Sequence, residues 1–96
     1  MDKHMETLLV MFYEKSYGYF ADLRKGTDMA SLNYSKGNMD ALQAVVHITG
    51  WDMNLSNIAY AVTAIIDAAE HDAASGDWKG RDEIADIASK AMKAAA

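Results

Sequence analysis

The chain has 96 residues, of which 51% are hydrophobic and 24% are charged, and it contains neither cysteine nor proline. This length predicts one domain over residues 1–96, and the composition is too apolar for a disordered chain. Nine Lys and Arg against fourteen Asp and Glu give a net charge of −5, which disfavours nucleic-acid binding, and the missing cysteines exclude disulfides and thiolate chemistry.

The N-terminal residues mix both charge signs and lack the basic segment and apolar run of a secretory signal. The longest uncharged stretch, between Asp52 and Asp67, is shorter than the roughly 20 apolar residues of a membrane-spanning helix. We therefore expect a cytoplasmic protein that does not enter a membrane.

A first amphipathic helix is predicted over about residues 3–24. Its larger apolar side chains recur at three- and four-residue spacing, as one face of a helix requires: Met5, Leu8, Leu9, Phe12, Tyr19, Phe20 and Leu23. Gly26 is the predicted stop. Gly18 costs roughly 1 kcal/mol relative to alanine inside a helix, so a bend or a close contact is predicted there.

Residues 27–37 are predicted to form a loop with at most one helical turn. A second, short helix is predicted over about residues 39–50, with Asn38 as its N-cap and Leu42, Val45, Val46 and Thr49 on its inward face. The β-branched run at 45–49 also fits a strand, but a lone strand has nothing to pair with, so a helix is favoured.

A third helix is predicted over about residues 54–74, capped by Asn54 or Ser56, and a fourth over about residues 80–94. Both carry apolar residues at helical spacing, and the alanines of the third helix allow close packing. The sequence therefore predicts an all-α fold: a small bundle of about four helices with a C-terminal antiparallel helical hairpin.

Signs of catalysis are few. No serine lies in a Gly-x-Ser-x-Gly turn, and the glycines form no phosphate-binding loop. His71 follows Asp67 by one turn and lies beside Glu70, but a di-metal bundle needs matching residues from several helices, and no second set occurs. We expect no enzymatic activity, no metal and no cofactor.

A helix-turn-helix regulator is disfavoured by the distribution of charge. Residues 51–96 contain four basic and eight acidic residues, and the predicted second helix has no Lys or Arg. A recognition helix normally brings basic or amide side chains to DNA.

An acidic cluster surrounds the predicted turn between the third and fourth helices. Five of its residues are predicted to contact a partner protein: Glu70, Asp77, Asp82, Glu83 and Asp86. Lys79 and Arg81 neutralise this cluster only in part. The alternative is an ordinary solvated helix start, because acids in the first turn stabilise any helix.

A second candidate surface lies on the first helix, where Val10, Tyr13 and Tyr17 fall beside the main apolar stripe. Tyrosine is frequent at the centres of interfaces, so these residues are a candidate homodimer interface. The alternative is that they widen the core.

The favoured function is that of a non-enzymatic acidic protein that binds and occludes a basic surface of a larger protein. A short acidic helical chain without cysteine or proline resembles in style the accessory proteins with which phages and mobile elements inhibit host systems. The alternative function is a homo-oligomeric structural or assembly subunit.

Overall fold

The computed structural model describes residues 1–95, and it contains four α-helices: α1 (Lys3–Lys25), α2 (Met29–Asp52), α3 (Ile58–Ser75) and α4 (Arg81–Ala95). Strands do not occur in this part of the chain. The prediction of an all-α fold with four helices is confirmed. Within residues 1–95, no helix combines the length and the hydropathy that crossing a membrane requires.

Helix α1 is the centre of the packing and contacts all three other helices. Helix α2 packs mainly on α1, whereas α3 and α4 pack on each other and on α1. The side chain of Asn57, just before α3, donates a hydrogen bond of 2.9 Å to the carbonyl of Met92 near the end of α4. Helices α3 and α4 therefore run antiparallel, as the predicted hairpin requires.

The core is built around the N-terminal half of α1. Its largest fully buried apolar side chains come from all four helices and are Met5, Leu9, Phe12, Tyr13, Val46, Ile65 and Ile84. Full burial of an aliphatic or aromatic side chain stabilises the fold by about 1.5–3 kcal/mol. The predicted apolar stripe of α1 is buried at Met5, Leu8, Leu9 and Phe12, whereas Tyr19 and Phe20 are only partly buried and Leu23 is 49% exposed, so its last part was predicted wrongly.

The prediction of a loop over residues 27–37 was wrong, because α2 begins at Met29. The side chain of Asp28 caps it by accepting a hydrogen bond of 3.0 Å from the backbone N–H of Ser31. The predicted N-cap, Asn38, lies inside the helix, and the inward face is also corrected, since Val45 is 41% exposed while Val46 is buried.

Three glycines were predicted to end a helix or to interrupt one: Gly18, Gly26 and Gly50. Gly26 ends α1 as predicted, with a positive φ of 71° that favours glycine. Gly18 lies inside α1, and none of the described residues approaches the place of a β-carbon there within 4 Å, so the close contact predicted there does not occur. Gly50 does not end α2 but lies inside it, where it packs directly against Ile58 at the start of α3.

The start of α3 also differs from the prediction. Neither Asn54 nor Ser56 caps this helix; Asn57 occupies the N-cap position, and its side chain makes no capping hydrogen bond within the described structure. The Asn57 amide instead holds the end of α4. A tertiary contact has therefore replaced the local cap.

Candidate functional site

The connection between α3 and α4, residues 76–80, is fastened to the middle of α1 by buried polar groups. The hydroxyl of Tyr13 donates a hydrogen bond of 2.7 Å to Asp72 Oδ2, and the backbone N–H of Lys79 donates one of 3.1 Å to the same hydroxyl. Lys79 Nζ lies 3.3 Å from the Asp72 carboxylate. A buried carboxylate is costly unless it is paired, so these contacts satisfy it.

The electrostatics of this cluster keep its proton on Tyr13. Burial by itself raises the pKa of Asp72, but hydrogen bonds from Tyr13, His71 and Lys79 outweigh it and hold that pKa below its ordinary value. Burial, together with the hydrogen bond to Asp72, raises the pKa of Tyr13 well above its ordinary value. At neutral pH the tyrosine is therefore the donor and the aspartate the charged acceptor.

Trp78 lies at the centre of the connection and is held by two tyrosines of α1. Its ring meets that of Tyr13 edge-on at a centroid distance of 5.3 Å and that of Tyr17 at 4.9 Å. Its side chain nevertheless remains 56% exposed. Tryptophan is one of the residue types enriched among the energetic anchors of protein interfaces.

Sequence reasoning did not select Trp78 as a site residue. The available signal was a large aromatic side chain in a short glycine-bounded turn, between Gly76 and Gly80. A turn of this kind has no apolar periodicity that would draw the tryptophan into the core. Its exposure and its contacts with the tyrosines of α1 depend on how the α3–α4 hairpin packs.

Two basic residues lie beside the predicted acids in sequence, Lys79 in the connection and Arg81 at the start of α4, and both pair with acids elsewhere in the molecule. Lys79 binds Asp72, and Arg81 Nη1 lies 3.2 Å from Glu6 Oε1 and 3.1 Å from Thr7 Oγ1 of α1. Among residues 1–95, no Lys or Arg lies within salt-bridge distance of Asp77, Asp82 or Glu83. These three exposed acids therefore surround Trp78 in sequence without a basic partner.

The five predicted acids do not form one group. Asp86 pairs with Lys90 at 2.9 Å, one turn further along α4. Glu70 lies on α3, on the wall of a cleft that it shares with Asp67, His71 and residues of α1. The predicted acids that flank Trp78 in sequence and have no basic partner within residues 1–95 are therefore Asp77, Asp82 and Glu83.

The candidate interface on α1 requires a correction for one residue. Tyr13 is 0% exposed and belongs to the core, so it cannot contact a partner of the folded chain. Val10 and Tyr17 are half-buried and pack against the core. Tyr17 additionally supports Trp78, which places it beneath the exposed aromatic of the connection.

The histidine with acidic neighbours makes a polar contact with the buried cluster. His71 Nδ1 lies 3.3 Å from Asp72 Oδ1. In the part of the chain that the structure describes, no three His, Asp or Glu side chains converge closely enough to hold a metal ion.

The chain matches no protein-family model, and no curated protein or solved structure matches it either.

Proposed function

We propose that this chain is a non-enzymatic binding protein that occludes a basic surface of a larger protein, with the α3–α4 connection as its contact surface. The observation that carries the proposal is Trp78, half-exposed yet held edge-on by Tyr13 and Tyr17. Exposed acids flank it in sequence. Energetic centres of interfaces are enriched in large aromatic residues, and charged groups around them steer the partner and set its orientation.

The charge of this surface supports a basic partner. Lys79 and Arg81 bind acids on the body of the molecule, so Asp77, Asp82 and Glu83 keep their negative field. Such a field steers a basic surface towards the connection and raises the association rate, most strongly at low salt. Salt dependence of binding is therefore an expected property of the complex.

The anchoring of the connection supports tight binding. Hydrogen bonds from Tyr13 and Lys79 restrain the segment before any partner arrives. Ordering a loop on binding opposes association, and a segment that is already ordered avoids most of that cost. In this role the chain is a cytoplasmic inhibitor of the type carried by phages and mobile elements. It acts by covering a surface of a host protein.

The test is capture of a partner from cells of the natural source on the tagged chain, followed by mass spectrometry. Three forms are compared with the wild type. The first is Trp78→Ala, and the second neutralises the connection by Asp77→Asn, Asp82→Asn and Glu83→Gln. The third is a matched control with the same change in net charge at exposed acids elsewhere: Glu14→Gln, Asp52→Asn and Asp67→Asn.

The wild type and the control are expected to retain one basic partner at stoichiometric amounts, and both connection variants are expected to lose it. Circular dichroism must first show that all three variants melt as folded helical proteins. Retention of the same partner by both connection variants at the same salt concentration would contradict the proposed surface. Loss from the control would show that net charge alone, rather than the connection, governs binding.

A further inference from the structure

Helix α2 has a second apolar face that no other part of the described structure covers. Its buried residues are Met39, Val46 and Gly50, which face α1 and α3. On the opposite side, uncharged residues recur at alternating intervals of three and four: Tyr34, Gly37, Ala41, Ala44, Ile48 and Trp51. We call these six residues the α2 seam.

All six seam residues are exposed, and the three large ones are exposed strongly: Tyr34 by 74%, Ile48 by 64% and Trp51 by 78%. At Gly37, none of the described residues lies within 4 Å of the place of a β-carbon. A mean spacing of 3.5 residues between apolar positions is the pattern of a seam between two packed helices. Soluble monomers rarely leave a continuous apolar strip of this length in water.

We infer that the α2 seam binds the α2 seam of a second copy of this chain, in antiparallel orientation. The seam is complementary to itself when it is turned end to end. In the register that pairs Ala41 with Ala44 of the other copy, Ile48 comes opposite Gly37 and Tyr34 comes opposite Trp51. Each pair occurs twice, as a twofold axis between identical subunits requires.

The sizes of the seam residues favour the antiparallel arrangement over the parallel one. The two alanines at the centre allow the helix axes to approach closely, and the large Ile48 fills the space that Gly37 leaves. Helices that cross at about 20° diverge towards their ends, where the two Tyr34–Trp51 pairs have room. A parallel pair instead sets Trp51 against Trp51 and leaves a gap at Gly37.

The area and the charge of this face both fit a dimer. The paired register overlaps about 20 residues, or about 30 Å of helix. The exposed parts of Tyr34, Ile48 and Trp51, with the small residues between them, offer roughly 500 Å² on each copy. The total of about 1,000 Å² reaches the size at which a well-packed interface becomes specific. Helix α2 carries one lysine and two aspartates, so little of the chain's net charge of −5 lies on the helix that meets its copy.

The dimer is compatible with the contact surface proposed above and does not depend on it. Helices α2 and α4 do not touch anywhere in residues 1–95. Pairing through α2 therefore leaves Trp78 and the acids of the connection accessible on each copy. A basic partner with two sites could then be bound by both copies at once, which strengthens attachment without any new contact.

The test uses the purified wild-type chain alone, in sedimentation equilibrium over a wide range of concentration. We expect a monomer–dimer equilibrium with a micromolar midpoint. Ala44→Lys and Ile48→Lys should each raise that midpoint at least tenfold, because each buries a lysine in the pairing register. The control Leu23→Lys, on the exposed last turn of α1, should leave it unchanged.

Orientation is measured with a spin label on Met29→Cys, at the beginning of α2. The antiparallel register separates the two labels by about 40 Å along the helices, whereas a parallel pair brings them close together. A monomer at all concentrations would overturn the inference, as would lysine variants that dimerise like the wild type. A short distance between the labels would overturn the antiparallel seam. Since no partner protein is present, these outcomes are separate from those that test the proposed function.

Discussion

The hydroxyl of Tyr13 donates a hydrogen bond of 2.7 Å to the carboxylate of Asp72, although 59 positions separate the two residues in sequence. The bond joins the middle of α1 to the last turn of α3. Because the backbone of Lys79 donates to the same hydroxyl, one tyrosine also fixes the segment that carries Trp78. Without this hydroxyl the buried Asp72 carboxylate keeps only its contacts with Lys79 and His71, and the partly buried N–H of Lys79 loses its acceptor.

Tyr13→Phe is expected to lower the free energy of unfolding by about 1–3 kcal/mol, because the desolvated carboxylate and N–H lose a hydrogen bond while the ring is kept. Urea denaturation measures the difference. The matched control Tyr60→Phe changes a tyrosine that is 61% exposed and should stay within about 0.5 kcal/mol of the wild type. Equal effects at the two positions would mean that the hydrogen bond to Asp72 does not stabilise the fold.

The two partners also predict opposite pH dependences of stability. The pKa of Asp72 is lower in the folded than in the unfolded chain, so its contribution is present above its ordinary pKa of 3.8 and is lost as the pH falls through the folded pKa. Asp72→Asn should therefore be less stable than the wild type at pH 7, and this difference should shrink below pH 3.8. The exposed Asp67→Asn should show no such pattern in urea denaturation.

At high pH the sign is reversed. The pKa of Tyr13 is higher in the folded than in the unfolded chain, so its contribution is complete below the ordinary value of 10.0 and is lost as the pH rises through the folded pKa. The stability difference between the wild type and Tyr13→Phe should therefore shrink above pH 10.0. A difference that stays constant there would contradict a buried, protonated tyrosine.

Two glycines inside helices should respond to alanine in opposite ways. At Gly50 a β-carbon would lie 2.8 Å from Ile58 Cγ1 and 2.9 Å from Ile58 Cβ, so α2 and α3 must shift apart. Gly50→Ala should lower the unfolding free energy by about 1–3 kcal/mol. Gly18→Ala meets open space among the described residues and should raise it by about 0.5–1 kcal/mol. Thermal melts of both variants measure the two changes in stability. If Gly50→Ala were more stable than the wild type, α2 and α3 would not be tightly packed at this position.

Alanine substitutions at two neighbouring isoleucines of α3 should lower the free energy of unfolding by different amounts. Ile65 is fully buried and Ile66 only partly, although both have helical spacing from Ile58 or Val62. Ile65→Ala should cost about 2–5 kcal/mol through lost burial and the cavity it leaves, and Ile66→Ala should cost distinctly less. The reverse order in chemical denaturation would mean that α3 is rotated about its axis.

All four helices could be predicted from the sequence, since an apolar stripe at helical spacing is a local property. Gly26 could be recognised as the end of α1 for the same reason. The start of α2 could not, because the small and polar residues of 27–37 have weak helix propensity. That segment is helical because Asp28 caps it and because Ser35 donates a hydrogen bond of 2.6 Å to Asp22 of α1, a contact that exists only once the two helices pack.

The candidate site, too, could be predicted only in part from the sequence. The excess of acids around the α3–α4 connection could be predicted from the sequence. The directions of Lys79 and Arg81 could not, because their partners Asp72 and Glu6 are brought near by the hairpin and by α1. Nor could the sequence place Trp78 on Tyr13 and Tyr17. Periodicity shows which side of a helix is apolar. Which surfaces meet depends on how all four helices pack around one core, and that is a property of the folded chain.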